Sequence, residues 1–342
     1  MRLKSLQSYL KQQKIGALIL THDDPNLTYI TGIKPTFGFL KVSPREAHLF
    51  ISNLDLKPIL KNISVEWLRP GWEKKLYQSK IKKIGINENI LTINFYKKLK
   101  KIYPSASLVD LSTPLARFRS IKTTSEIRKI RKAAQIMDQS FSQFLKNIHH
   151  LTTEQEAADF LDRKMQEQGA ELAFPTIVAS GKNSAVPHHK TSAQRLSKGF
   201  LLIDFGARHQ GYCADMTRML YLGKPTKLEQ QTYDLLLSIQ EKSISEIKLN
   251  KPLAELNRLV RKRLGKYSSH FIHSLGHGVG LEIHEAPKVS LDSKEKALKN
   301  MVFTIEPGIY FPNRFGLRIE DTVLFDGKTK VLTTTSKKLI LV

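Results

Sequence analysis

The sequence of 342 residues contains one cysteine, Cys213. A single thiol allows no disulfide within the chain and no cysteine-based zinc cage, so histidines and carboxylates must hold any bound metal. The sequence also lacks an apolar run near the roughly 18 to 20 residues that a membrane span requires, and its first residues contain no signal-type apolar stretch. We therefore expect a cytoplasmic protein that does not contact a membrane.

Acidic residues are few compared with basic ones. The chain has 31 Asp and Glu against 55 Lys and Arg, which gives a formal net charge of +24 and makes nucleic acid a candidate partner. The excess is spread along the chain, however, with +13 in residues 1–120 and +11 in residues 121–342. Its short basic clusters fall on helical patterns, which is typical of solvated helix faces and argues against nucleic-acid binding.

The first 120 residues alternate between helical and strand patterns, which predicts a small α/β domain. We expect strands over 17–20, over 47–51 and near Leu108, and a helix over about 91–102. Pro114 and a loop-like stretch over 117–122 predict the end of this domain. We place the domain boundary near residue 120.

Residues 121–342 predict an α+β domain. Thr123, Thr153 and Thr226 each precede a glutamate with the spacing of a capping box, and Pro252 opens a further helix that ends at Gly265. Strand-like segments lie between and after these helices, with a turn at 210–211. The predicted strands cover 174–179, 200–205, 212–221, 302–309 and 317–325.

Four acids interrupt these apolar strand patterns. Asp is disfavoured in strands, and a buried carboxylate costs several kcal/mol unless it is paired or bound to a metal. A salt bridge or a strand end would explain any one of them, but four together, with a nearby histidine-rich segment, predict a cation site. The four acids are Asp204, Asp215, Glu306 and Glu320.

The histidine-rich segment, 273–285, contains His273, His277 and His284 among several glycines. Glycine permits the close backbone approach needed where an imidazole reaches a metal or a substrate. The His-Glu-x-x-His spacing of the zincins is absent, because Ala-Pro-Lys follows the pair at 284–285. An oxygen-rich set with a single imidazole suits two divalent ions such as Mn, Co, Fe or Zn, with two carboxylates bridging them.

The order of these residues resembles the dinuclear site of the pita-bread metallopeptidases, the superfamily of methionine aminopeptidase, aminopeptidase P and prolidase. The N-terminal α/β domain and the segment 119–127 resemble the creatinase and proline-peptidase branch, whereas a methionine aminopeptidase would lack such a domain. The resemblance implies a C-terminal pita-bread catalytic domain over 121–342 and a smaller creatinase-like α/β domain over 1–120. The matching motifs are 203–207, 215–218, 277–280, 304–308 and 318–321.

The resemblance also implies how the ions would be held. Asp204 would chelate one ion, Asp215 and Glu320 would bridge both, and His277 and Glu306 would complete the shell of the other. We expect two divalent ions, with manganese favoured over cobalt, zinc or iron.

Further residues match the family's catalytic and substrate positions. Glu306 would also shuttle a proton from the attacking water to the proline nitrogen. His188 and His284 match histidines on the substrate side, and His284 would stabilise the tetrahedral intermediate. His273 and Arg318 match positions that line the proline end of the pocket. For these three histidines and the arginine a structural explanation stays open, namely hydrogen-bonded core histidines and a counter-charge for the carboxylates.

Three positions depart from the family pattern or complicate it. Ser274 and Phe315 stand where the family usually has glycine, and both adjoin the predicted proline pocket, so they bear on substrate preference. His189 follows His188 directly, which leaves open which imidazole faces the substrate.

These inferences predict a Xaa-Pro aminopeptidase that acts on peptides with proline at the second position. Proline forms a tertiary amide with a fixed ring and therefore requires its own pocket. One alternative is a Xaa-Pro dipeptidase (prolidase), which shares the motifs, and another is a non-catalytic pita-bread binding module. We further expect a homodimer, because the N-terminal domain supplies no ligand and is available for oligomer formation and for narrowing access to the site.

Overall fold

The computed structural model describes residues 2–77 and 80–342. The chain separates into two compact units, one that ends at Arg119 and one that spans Ser120–Val342. Among the described residues, no helix combines the length and the apolar character of a membrane span.

The first unit is built on a six-stranded mixed sheet. Its strands are β1 (Ala17–Thr21), β2 (Gly38–Val42), β3 (Ala47–Ile51), β4 (Ser64–Trp67), β5 (Lys83–Ile86) and β6 (Ser107–Asp110). They lie in the order β4-β3-β2-β1-β5-β6. The helices of this unit are α1 (Arg2–Gln12), α2 (Pro25–Thr31), α3 (Trp72–Leu76), α4 (Ile93–Ile102) and α5 (Ser112–Ser120).

The predicted strands of this unit are confirmed, but the loop predicted over 117–122 is wrong. Helix α5 runs through most of that stretch. Pro114 lies in the first turn of α5, where a backbone N–H would have no partner within the helix, so proline is tolerated there.

The second unit contains four long helices whose predicted starts are confirmed. Thr123, Thr153 and Thr226 each cap a helix through a reciprocal capping box with the glutamate three residues later. Pro252 precedes the fourth helix, which ends before Gly265. The helices are α6 (Thr124–Asn147), α7 (Glu154–Glu167), α8 (Lys227–Ser245) and α9 (Leu253–Leu264).

Three groups of strands form the β-structure of this unit. The first is centred on the long hairpin of β9 (Gly199–His209) and β10 (Tyr212–Leu222), to which β7 (Glu171–Leu172), β8 (Ile177–Ser180) and β18 (Ile340–Leu341) add. The second has the order β12-β11-β13-β16-β17, from β11 (Gly276–Gly278), β12 (Glu285–Val289), β13 (Met301–Ile305), β16 (Asp321–Phe325) and β17 (Thr329–Val331). The third is the two-stranded pair β14 (Gly308–Phe311) and β15 (Phe315–Arg318).

The two faces of the β9–β10 hairpin belong to two different cores. Side chains alternate between the faces of a strand. Leu201, Ile203 and Phe205 therefore pack with α6 and α7, whereas Phe200 and Leu202 pack with α8 and α9. The second face is the one on which the candidate site lies.

The predicted strands 302–309 and 317–325 are each broken in two. The first breaks at Glu306 and Pro307, because proline has no N–H with which to continue the ladder. The second breaks at Ile319 and Glu320. The segment 174–179 is also shorter than predicted, since only Ile177–Ser180 forms a strand there.

Candidate metal centre and active site

Two aspartates lie on one face of the β9–β10 hairpin. Asp204 has the same parity in β9 as Phe200 and Leu202, and it is paired with Thr217 of β10 in the antiparallel register. Asp215 lies two residues before Thr217 and therefore on the same face. Both carboxylates thus point away from α6 and α7.

The other three predicted ligands come from the second sheet and its edges. His277 lies in β11, while Glu306 directly follows β13 and Glu320 directly precedes β16. The antiparallel register pairs the last residue of β13, Ile305, with the first of β16, Asp321, so the two glutamates leave the sheet side by side.

Backbone contacts hold these three residues in place. The N–H of Glu306 donates to Leu275 O at 2.9 Å, and the N–H of Glu320 donates to Thr217 O of the first sheet at 3.3 Å. Gly276 lies so close to β13 that an added Cβ would be 2.0 Å from Thr304 O. A side chain at that position would displace the neighbouring His277.

The predicted ligands meet in one buried cluster. His277 Nε2 lies 3.2 Å from Glu306 Oε1 and 3.6 Å from Asp215 Oδ2. One ligand atom each of Asp215, His277 and Glu320 lie within 4.8 Å of one another. Asp204 joins the cluster electrostatically, because its charge and those of Glu306 and His277 influence one another. The five side chains therefore form a single charged group.

The protonation of this group is divided unevenly. Burial raises the pKa of Asp204, and it raises the pKa values of Asp215 and Glu320 well above the usual range, with neighbouring carboxylates adding to the effect. Burial also opposes ionisation of Glu306 and His277, but their mutual hydrogen bond and charges prevail, so the pKa of Glu306 falls to about 2 and that of His277 rises to about 9. Together with the Arg318 guanidinium, which lies 2.6 Å from Asp204 Oδ2, this imidazolium gives two positive charges against four clustered acids.

The donor set fits divalent cations. Within the part of the chain that the structure describes, Asp204 Oδ1, Asp215 Oδ1 and Glu320 Oε1 are buried without a hydrogen-bond partner. A buried acceptor left unsatisfied costs about 1–3 kcal/mol, and more if it is charged. Cations bound between these oxygens and the His277 imidazole would remove that cost, and oxygen ligands with one imidazole suit Mn, Co, Fe or Zn.

Sequence reasoning missed two threonines that orient the ligands. Thr217 Oγ1 donates to Glu320 Oε2 at 2.7 Å, and Thr304 Oγ1 donates to Glu306 Oε1 at 3.0 Å. Each threonine lies two residues from a predicted ligand, Asp215 or Glu306, and so faces the same side of its strand. This strand parity is the signal that could have identified them.

Arg318 is buried beside the cluster. Its guanidinium donates to Asp204 Oδ2 at 2.6 Å, to the hydroxyl of Tyr310 at 2.7 Å and to Pro187 O at 3.2 Å. It therefore does neutralise a carboxylate, which is the structural role left open for it above. His273 Nε2 lies 3.1 Å from the same Tyr310 hydroxyl, and burial lowers the pKa of His273. Tyr310 was missed in the sequence, where no motif distinguishes it.

His188 and His284 are exposed at the mouth of the cluster. The His284 ring lies 4.3 Å from the His277 ring, centroid to centroid. Burial of part of the ring and the positive charge of His277 lower the pKa of His284, which keeps the imidazole neutral near pH 7. His188 influences the pKa values of both His284 and His273, and its neighbour Pro187 is hydrogen-bonded to Arg318, so all three histidines lie close to the cluster.

The structure also shows what surrounds His189, Phe315 and Ser274, the three positions singled out against the family pattern. His189 Nε2 is hydrogen-bonded to Glu154 Oε2 at 2.8 Å. Phe315 is buried, with its ring centroid 5.3 Å from that of Phe200, so its side chain belongs to the core and not to the predicted pocket. Ser274 is exposed, and its carbonyl oxygen lies 2.8 Å from His273 Nδ1.

The fold and the acid–histidine cluster are typical of a metal-dependent hydrolase. Residues 128–326 match metallopeptidase family M24, and residues 2–121 match the Creatinase/Prolidase N-terminal domain. The chain therefore belongs to metallopeptidase family M24, and the pita-bread fold and the enzyme class predicted from the sequence are confirmed. Membership of a peptidase family argues against the non-catalytic binding module.

The similarity to individual proteins extends over nearly the whole chain. It is 35% identical to the Xaa-Pro dipeptidase of Pyrococcus horikoshii, covering 99% of this chain and 98% of that protein. Among solved structures, the prolidase from Pyrococcus horikoshii OT3 matches with a TM-score of 0.91 and 33% identity over 99% of both chains. The X-Pro aminopeptidase from Thermotoga maritima matches with a TM-score of 0.86 and 29% identity, covering 96% of this chain and 98% of that one.

Proposed function

We propose that the protein hydrolyses the peptide bond before proline in Xaa-Pro dipeptides. The observation that carries this proposal is full-length similarity, at 35% identity, to a Xaa-Pro dipeptidase. The sequence analysis favoured an aminopeptidase, and the names of the relatives support its dipeptidase alternative instead. The aminopeptidase remains the second candidate, supported by the similarity to the Thermotoga maritima enzyme at 29% identity.

The metal assignment is part of this proposal. Asp204, Asp215, His277, Glu306 and Glu320 would hold two divalent cations, and the unpartnered buried oxygens of three of these acids support that assignment. Bound cations of this kind polarise a carbonyl group and lower the pKa of water.

The remaining steps belong to side chains of the protein. Glu306, whose carboxylate is ionised, accepts a proton from the attacking water and passes it to the proline nitrogen as the C–N bond breaks. His188 and His284, at the mouth of the cluster, donate hydrogen bonds to the oxygen that becomes negative during the attack. His273, Tyr310 and Arg318 form the wall of the proline pocket.

A comparison of three peptides tests the substrate class. With manganese supplied and with a chelator control, we expect cleavage of Ala-Pro, little cleavage of Ala-Pro-Ala and none of Ala-Ala-Ala, measured by chromatography of the released amino acids. Preferential cleavage of Ala-Pro-Ala before proline would establish the aminopeptidase instead. Failure to cleave either proline peptide with two metal ions bound would exclude both candidates.

Replacing the histidines at the mouth tests their proposed role. We expect His188→Ala and His284→Ala each to lower kcat by about a hundredfold, because each removes one donor to the developing oxyanion. Steady-state kinetics on Ala-Pro measure the effect. His150→Ala is the control, since His150 is exposed and lies outside the site. Wild-type kcat in either test variant would remove that histidine from the mechanism.

Three expectations stay predictions of the sequence. They are the preference for manganese, the homodimer and the cytoplasmic location. The division into a catalytic domain over 121–342 and a separate domain over 1–120 is likewise our assignment.

A further inference from the structure

A fully buried carboxylate lies at the first position of helix α7. The Glu154 side chain has no exposed surface, and its Oε1 accepts hydrogen bonds from Ser180 N at 2.8 Å, Ser180 Oγ at 3.1 Å and Asn183 Nδ2 at 2.9 Å. Its Oε2 is hydrogen-bonded to His189 Nε2 at 2.8 Å. The helix N-terminus further favours negative charge at this position. All of these donors belong to one segment, residues 180–189.

This segment follows β8, a strand of the sheet centred on the β9–β10 hairpin, and it contains His188. It begins at the end of β8, makes a short 3-10 turn over 181–185, and starts that turn at Gly181 with a φ of 54°. Ser180 and Asn183 attach its first half to Glu154, and His189 attaches its last residue to the same carboxylate. His188 therefore precedes directly the residue that closes the segment.

The same segment contacts the strand that ends in Arg318. Ser184 Oγ accepts a hydrogen bond from Gly316 N at 2.9 Å, and Pro187 O accepts one from Arg318 Nη1 at 3.2 Å. The contact is tight, because a Cβ on Gly316 would lie 2.1 Å from Ser184 O. A shift of the segment would therefore move both His188 and a carbonyl that binds Arg318.

We propose that Glu154 and His189 are positioning residues that fix the position and orientation of the His188 imidazole relative to the acid–histidine cluster. This inference rests on the proposed function. A carboxylate only accepts hydrogen bonds, so His189 Nε2 must carry the proton and donate it. That requirement fixes the ring of His189 towards α7 and leaves His188 as the histidine that meets the substrate.

Two substitutions of His189 separate its hydrogen bond from its bulk. Glutamine can place an amide Nε2 where the imidazole Nε2 lies, whereas leucine fills the space without a donor. We expect His189→Leu to lower kcat for Ala-Pro by about 10- to 100-fold, because a small displacement of a catalytic group has effects of that size. We expect His189→Gln to stay near wild type, and we expect KM in His189→Leu to change by a smaller factor than kcat.

A double-mutant cycle shows whether the effect passes through His188. In a His188→Ala background, His189→Leu should cause no additional loss of kcat, since the group that it positions is already absent. Equal kcat values for His189→Leu and His189→Gln would overturn the proposal. So would a full further loss in the His188→Ala background.

A second readout does not depend on activity. Hydrogen exchange of the amides over 181–189 should be about tenfold faster in His189→Leu than in wild type or His189→Gln, because one attachment of the segment is lost. His150→Leu provides the control for an exposed histidine. If the wild type cleaves no Xaa-Pro peptide, the proposed function fails. Faster exchange in His189→Leu would still support the positioning role of His189, and unchanged exchange would overturn that role.

Discussion

Asp215→Asn is expected to reduce turnover by about a thousandfold and to abolish the binding of a pair of metal ions. Asparagine offers a neutral oxygen in place of the proposed metal-binding carboxylate, and the loss of several kcal/mol of Lewis-acid stabilisation corresponds to a factor of that size. The metal-free variant should unfold at the same temperature as the metal-free wild type, or at a higher one. Burial and the charge of Asp204 raise the pKa of the Asp215 carboxyl, so an uncharged amide is better tolerated there in the absence of cations.

Metal content by mass spectrometry, together with thermal unfolding with and without manganese, measures this result. A variant that loses metal binding but keeps or raises its unfolding temperature has lost a ligand. A misfolded variant would instead lose both metal binding and thermal stability. Asp326→Asn is the matched control, because Asp326 is an aspartate near the surface that pairs with Lys330 in an exposed salt bridge. An Asp215→Asn protein that binds two ions and turns over normally would refute the metal assignment.

Lys122→Met is expected to lower the free energy of unfolding by about 3–5 kcal/mol, the largest stability effect that we anticipate. Lys122 Nζ lies 2.8 Å from Glu285 Oε1, and the two side chains are 1% and 2% exposed. Methionine preserves most of the volume of lysine but leaves the Glu285 carboxylate buried without this cation. The cost comes from keeping that carboxylate buried without its cation more than from the lost attraction.

Urea denaturation of the metal-free protein measures this difference. Lys164→Met is the matched control, because Lys164 pairs with Glu167 at a similar distance, 2.7 Å, but on the surface of α7. Such exposed pairs contribute about 0–1 kcal/mol. Equal losses of stability in the two variants would show that the buried Lys122–Glu285 pair is no more costly to break than an exposed pair.

Local patterns were sufficient to predict most of the helices and the two aspartates. The capping boxes at Thr123, Thr153 and Thr226 are short-range signals, since both members lie within one helical turn. Asp204 and Asp215 were recognisable because each interrupts an apolar strand pattern on a hairpin with a clear turn. In these cases the residues that determine the structure are neighbours in the sequence.

Some of the features that sequence analysis missed depend on contacts between residues in different strands, turns or helices. Tyr310 joins the site through Arg318 and His273, and Glu154 becomes a buried acceptor only because residues 180–189 fold onto it. No local pattern encodes such contacts. The strand breaks at Glu306 and Glu320 were missed for a related reason, because apolar periodicity continues across a position where the backbone leaves the sheet.

The alternation of the β9 side chains between two cores has an evolutionary consequence. Leu201, Ile203 and Phe205 are constrained only by volume and hydrophobicity, since they pack beneath α6 and α7. Asp204, between two of them, is constrained by chemistry. Selection for folding and selection for catalysis therefore act on adjacent positions of a single strand. We therefore expect the tolerance to apolar substitution to change sharply between Asp204 and its neighbours Ile203 and Phe205.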